Sequence, residues 1–252
     1  MTEPVLLDLA DGIATLTLNR PSAGNALNME LATLLHRHAE SLASNADVRV
    51  VVIRATGKLF CAGGDVRDMA GATDRSGFLR ELADGMHRAL LALRELTVPL
   101  IVAVQGPAAG GGLGLVLAAD IAVAADTATF VAAYSAIGLS PDCGVTALLP
   151  NAVGARRAAL FALTNSRLTA AQAEEWGLIS EAVSADALEA RVAELARLVA
   201  DRPGESAGQA ARLLRNSPER SYAEQLDDEA TTIARLSDTA AASALIEAFA
   251  KR

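Results

Sequence analysis

Lysine is almost missing from this chain: Lys58 and Lys251 are the only two in 252 residues. Acidic side chains outnumber basic ones by 30 to 22, for a net charge of −8, and no basic run occurs. Binding to nucleic acid by counterion release, or to an anionic membrane surface, needs clustered cations that this sequence lacks. Cysteine is equally scarce. Cys61 and Cys143 form neither a metal-site spacing nor a disulfide framework, so no metal is expected. The opening MTEPVLLDLADG has no basic segment ahead of an apolar stretch, which reads as no secretory signal and makes the cytoplasm the expected compartment. Residues 98–119 are uncharged and long enough to span a bilayer. However, Pro99, Gln105, Pro107 and five glycines break the run, and a buried strand, a loop and a buried helix fit it better.

What is present is apolar. At 52% hydrophobic and 21% charged, the chain can bury enough surface to offset its ordering entropy, which excludes disorder. Residues 5–9 and 13–18 flank Asp11-Gly12, a two-residue hairpin signal. Behind Asn28, whose side chain suits an N-cap, Leu31, Leu34, Leu35, His38 and Leu42 share one helical face. The β-branched run 48–53 predicts a buried strand, 78–96 a helix and 100–104 a second buried strand. Ala62-Gly63-Gly64 follows the first of these strands, and Ala109-Gly110-Gly111 follows the second, 47 residues later. That separation points to repeated βα units in an α/β fold, with small-residue loops where such sheets bind ligands.

The second half is helical. Thr169-Ala170-Ala171-Gln172 has capping-box spacing, 179–183 predicts a short strand, and 186–199 predicts a helix. Residues 201–205 read as a linker dividing a core domain, 1–200, from a helical region, 201–252. The stretches 207–216, 221–236 and 239–251 carry apolar faces (Leu213, Leu226, Ile233, Leu245 and Ile246 among them) that need a partner, which predicts oligomerisation.

The glycine loops have two readings. They permit close helix–strand packing, or they expose peptide N–H groups to a ligand; Gly110-Gly111-Gly112 also opens a helix, whose orphan donors favour negative charge. A nucleotide loop fits poorly, because Gly112-Leu113-Gly114 lacks the third glycine of a dinucleotide fingerprint and no Gly-Lys-Ser/Thr exists. Asp142 lies in an uncharged stretch between Asp126 and Arg156. It is either a proton-shuttling carboxylate in apolar surroundings or the N-cap of a helix starting near Val145. Cys143 reads as a small buried residue, and His36, His38 and His87 as structural or surface groups.

Leu18-Asn19-Arg20-Pro21 with Asn25-Ala26-Leu27 resembles the opening signature of the enoyl-CoA hydratase/isomerase (crotonase) superfamily. The segment 48–69, VRVVVIRATGKLFCAGGDVRDM, is similar to its first oxyanion segment, and 101–121, IVAVQGPAAGGGLGLVLAADI, to its second. Residues 154–183 match a further family segment, so the likeness covers nearly the whole chain in order. The resemblance implies a spiral of ββα turns with a C-terminal helical trimerisation region, assembled as a trimer or hexamer. It implies an acyl-CoA thioester substrate, with no cofactor beyond the CoA moiety. It assigns the oxyanion-hole amides to Ala62 and Gly111, the CoA path to Ala62, Gly63, Gly64 and Asp65, and a phosphate contact to Lys251.

The reaction follows from the same comparison. Hydratases of the superfamily use two glutamates, and the matching positions are Gly114 and Tyr134, neither of which activates water. Asp142 falls on the catalytic aspartate of several isomerases, and 137–150 is most similar to the isomerases of phenylacetate catabolism, which act on ring-epoxide and enoyl thioesters. Related dehalogenases place a nucleophilic aspartate there, with a Trp where this chain has Tyr134. The expected activity is therefore a double-bond or ring-epoxide shift, with Asp142 moving the proton and Tyr134 shaping the acyl pocket. A hydratase and a non-catalytic acyl-CoA carrier are the alternatives. Loops 66–78 and 127–140 are expected to select the acyl group.

Overall fold

In the computed structural model, which describes residues 3–251, strand β1 (Val5–Ala10) turns through Asp11 and Gly12 into antiparallel β2 (Ile13–Leu18). Both turn residues have positive φ, +51° and +76°, as the tight two-residue hairpin turn requires. Helix α1 (Met29–Ala43) starts where the Asn28 side chain accepts the Leu31 N–H at 3.0 Å. Then follow β3 (Val50–Ala55), α2 (Val66–Gly71), α3 (Arg75–Arg94), β4 (Leu100–Val104), the two-residue β5 (Ala108–Ala109) and α4 (Gly111–Ala118). Strands β6 (Ile121–Ala125) and β7 (Thr129–Val131) precede α5 (Val145–Val153), α6 (Ala155–Thr164), β8 (Arg167–Thr169), α7 (Ala170–Trp176) and β9 (Glu181–Val183). Four helices finish the chain: α8 (Leu188–Ala200), α9 (Ser206–Asn216), α10 (Tyr222–Ser237) and α11 (Ala240–Ala250).

The main sheet runs β1-β2-β3-β4-β6-β9, parallel throughout except for the opening hairpin; β5, β7 and β8 form a smaller sheet. Side chains of β3 and β4 alternate between two buried faces. Val51, Ile53, Val102 and Val104 join Leu31, Leu35, Met86 and Leu93 from α1 and α3. Val50, Val52, Ile101 and Ala103 pack under α8, against Leu188, Val192 and Ala196. A sheet covered on both sides explains why these strands read as continuous apolar runs rather than alternating ones.

Element boundaries shift where the chain finds a better hydrogen-bond partner. Helix α3 begins three residues before the expected start because Asp74 accepts the Gly77 N–H at 2.9 Å. The strand expected over 179–183 shrinks to Glu181–Val183. The Leu178 and Ile179 amides turn back to the Ala173 carbonyl and close the end of α7. Thr169 and Gln172 form the expected capping box.

Helix α9 is locked to the core by Arg215, whose side chain is 4% exposed. Its guanidinium donates to both oxygens of Asp120 at 2.7 and 2.5 Å and to the carbonyls of Arg94, Leu96 and Val98. Asp120 also accepts the Leu100 N–H at 2.7 Å, at the first residue of β4. By contrast, α10 and α11 leave Leu226, Ile233, Leu245 and Ile246 exposed. No helix among the described residues is long and apolar enough to cross a membrane. Arg215→Met strands the half-buried Asp120 carboxylate and three carbonyls, so unfolding in urea should show a loss of about 3 kcal/mol; a loss under about 1 kcal/mol would show that α9 is held by apolar packing alone.

Candidate active site

Adjacent parallel strands deliver two loops to one place. Beyond β3, Cys61 bridges Ala108 beyond β4, with the Ala109 N–H on the Cys61 carbonyl at 2.9 Å. Gly110 has φ +53° and ψ −124°, a glycine conformation, and a Cβ there would stand 3.4 Å from the Gly63 Cα. The two backbones therefore touch. Gly111 is the first residue of α4, so its N–H lies outside the helical ladder.

The donor expected at Ala62 is corrected by its partner: the Ala62 N–H is spent on the Gly24 carbonyl at 2.9 Å. Two residues on, Gly64 forms a parallel bridge with Leu27, in which the Gly63 carbonyl and the Asp65 N–H both face Leu27. The Gly64 peptide N–H consequently points the other way, into the cleft that Gly64 lines, and finds no acceptor among the described residues. Strand-like alternation from the Leu27 bridge singles out Gly64, but that bridge is invisible without the fold.

Tyr134 and Asp142 line one cleft and meet there. Tyr134 opens a short 3-10 turn (Tyr134–Ile137), and its hydroxyl donates to Asp142 Oδ1 at 2.7 Å. Capping is not the role of Asp142, because α5 begins after Gly144 with no side-chain cap. Burial above all, then the neighbouring Cys143 and Asp142, pushes the Tyr134 phenol well above its usual range. The Cys143 thiol lies within 4.8 Å of an Asp142 oxygen, and burial first, then that carboxylate, pushes it up too. Asp142 thus faces two groups that stay protonated. Cys143 also fills the space beside α4: a Cβ on Gly114 would lie 2.4 Å from the Cys143 carbonyl oxygen and 2.8 Å from its Cβ.

These groups line a cleft of about 480 Å³, mostly apolar, with Leu27, Met69, Leu82, Met86 and Leu139 around Gly64, Gly111, Tyr134 and Asp142. Asp142 is the only carboxylate among the described residues that line it. A second cleft of about 460 Å³, sharing Ala62, Gly64 and Val66, carries Arg20, Ser22 and Arg67. Asp65 borders this second cleft, but its carboxylate is held by Arg20 at 3.0 Å and accepts the Arg67 N–H that starts α2. Lys251 is exposed beyond α11 and borders neither cleft of its own chain.

His87, read from the sequence as a structural or surface group, is half-buried. From α3, its Nε2 accepts the Cys143 N–H at 3.2 Å, a contact between residues too distant in sequence for any spacing rule to expose. His87, Asp142 and Cys143 bring metal-ligating atoms within 4.8 Å of one another. Here the His87 lone pair is taken by an amide, one Asp142 oxygen by Tyr134, and the thiol is held protonated, so the cluster is organised for protons rather than for a cation.

Cys61, fully buried, is pushed from 9.0 to about 12, chiefly by desolvation. The unfolded thiol ionises first, so between about pH 9 and 12 the folded state binds more protons and loses stability as pH rises; below about pH 9 this contribution is fully present. Calorimetry should find Tm falling from about pH 9 to 11, with a shallower fall in Cys61→Ala. An equal slope in that variant would remove Cys61 as a source.

Comparison with known proteins agrees with this geometry. The family model described as enoyl-CoA hydratase/isomerase matches residues 8–252. The chain is 36% identical to 1,2-epoxyphenylacetyl-CoA isomerase of Escherichia coli (strain K12), covering 91% of this chain and 88% of that protein. It is also 36% identical to 4-chlorobenzoyl coenzyme A dehalogenase-2 of an Arthrobacter species, over 79% and 73% of the two chains. The crystal structure of enoyl-CoA hydratase from Mycobacterium smegmatis superposes with a TM-score of 0.93 at 30% identity, covering 98% of this chain and 96% of that one. These relatives carry three different chemistries on one scaffold, which leaves the reaction to the residues of the cleft. The chain folds as a crotonase and belongs to the enoyl-CoA hydratase/isomerase family.

Proposed function

We propose that this chain is an acyl-CoA isomerase that shifts a double bond, or a ring epoxide, by proton transfer through a thioester enolate. The observation that carries this reading is the pairing of a single cleft carboxylate, Asp142, with a packed Gly114 that has no room for a second acid. Asp142 takes a proton beside the thioester and returns it further along the acyl chain, a task one base on one face performs alone. Hydration also needs a positioned water, and among the described residues no second carboxylate borders the cleft to hold it. The Gly64 and Gly111 amides meet the thioester oxygen, where charge collects once the proton leaves. Fixed donors at such a position contribute roughly 3 kcal/mol each.

Tyr134 orients the Asp142 carboxylate and keeps one of its oxygens occupied, so the other faces the substrate. The apolar cleft takes the acyl group and excludes water from the enolate. Arg20 and Arg67, in the adjoining cleft, suit the phosphates of CoA, with Ala62, Gly63 and Gly64 along the path between. No cofactor beyond the CoA moiety enters this scheme. The exposed apolar faces of α10 and α11 support assembly as a trimer or hexamer; a monomer in sedimentation would count against that.

Incubation of enoyl-CoA esters in deuterated water, read by mass spectrometry, tests the chemistry. The wild-type chain should incorporate deuterium into the acyl group. Asp142→Asn should slow that by about 10²–10⁴-fold while still binding the ester. Undiminished exchange in the variant overturns the assignment of Asp142, and rapid hydration of crotonyl-CoA by the wild type would favour the hydratase. Saturable binding with no exchange in the wild type would leave an acyl-CoA carrier.

A further inference from the structure

Two residues that flank the Tyr134–Asp142 pair have backbone conformations that L side chains rarely adopt. Ala133, immediately before Tyr134, has φ +67°, and Cys143, immediately after Asp142, has φ +52°. Such geometry persists only where the surroundings over-determine it. In both cases a side chain from a distant element catches the amide of the strained residue. Asn165 Oδ1 accepts the Ala133 N–H at 2.7 Å, and His87 Nε2 accepts the Cys143 N–H at 3.2 Å. Asn165 ends α6 and is itself left-handed at φ +51°; His87 comes from the middle of α3. Neither residue lines the main cleft.

We propose that Asn165 and His87 are positioning residues, which hold these two amides and so fix the turns that bring the Tyr134 hydroxyl to the Asp142 carboxylate. Each acts through the backbone of a neighbour and touches no substrate. Without Asn165, Ala133 has no reason to stay left-handed, and relaxation of its φ swings Tyr134 away from Asp142. Without the His87 acceptor, the turn at Cys143 relaxes and Asp142 turns with it. His87 fills this role only with Nε2 unprotonated, because a proton there removes the acceptor. The kinetic consequence rests on Asp142 being the proton-transferring group; the geometric one does not.

The test removes the acceptor without adding strain. Asn165→Gly keeps a residue that tolerates positive φ but deletes Oδ1, whereas Asn165→Asp keeps an acceptor. The chain has two tyrosines, and Tyr222 is 80% exposed, so protein labelled with ¹³C at tyrosine Cζ gives two distinguishable signals. The Tyr134 signal should move in Asn165→Gly and stay in Asn165→Asp. In exchange assays Asn165→Gly should lower kcat about 10- to 100-fold with KM changed less than about threefold. Adding Ala133→Gly, which relieves the strain directly, should recover part of that loss. His87→Leu should behave like Asn165→Gly, and His87→Gln, which retains an acceptor, should be milder.

An unmoved Tyr134 signal in Asn165→Gly overturns the proposal for that residue, and equal losses in His87→Leu and His87→Gln overturn it for His87. If Asp142→Asn instead retains full exchange, the assignment of Asp142 as the base fails while the tyrosine signal still decides the positioning question.

Discussion

Contact between two loop backbones is the constraint on which the rest of this molecule is built. Neighbouring parallel strands run about 4.8 Å apart, so the chain leaving β3 and the chain leaving β4 emerge side by side and would collide if side chains stood between them. Gly63 and Gly110 remove those side chains, and Cys61 and Ala108 then bridge directly. That contact sets the point where α4 begins, while the bridge to Leu27 sets the direction of the Gly64 amide. The sheet register thus becomes a pair of amide directions in the cleft, without any polar side chain taking part.

The acidic half of the site is assembled in the opposite way, from side chains on loops rather than from strand ends. Tyr134, Asp142 and Cys143 belong to the irregular stretch between β7 and α5, and their placement depends on long-range hydrogen bonds from α3 and α6. Cys143 is central to this arrangement. Its thiol meets Asp142, its amide meets His87, and its backbone occupies the space beside Gly114. A preorganised backbone site and a tethered carboxylate are thereby combined in one mostly apolar cleft, where electrostatic interactions weaken least.

Local signals made most of the fold legible. The hairpin at Asp11-Gly12, the Asn28 cap, the capping box at Thr169 and the apolar strands each follow from chemistry within a few residues. Boundaries moved where nearby hydrogen bonds competed, as at Leu178 and Ile179, whose amides return to Ala173. Asp142 and Tyr134 were recognisable from the family segments that contain them. The resemblance assigns the donor to Ala62, and the Gly24 and Leu27 partners that turn these peptides and favour Gly64 lie some 40 residues upstream. Asp65 borders the second cleft while its carboxylate pairs with Arg20, a partner 45 residues upstream. His87 and Asn165 gave no signal at all, since each acts through one contact with a residue far along the chain.

The packing of Gly114 against the Cys143 carbonyl also bears on descent. A glutamate at position 114 would collide with main-chain atoms rather than with a side chain that could swing aside. Mutational routes from this chain toward a two-carboxylate relative therefore pass through a remodelled 142–144 bend first. A substitution at 114 alone does not suffice, because the bend has to move before a second acid fits.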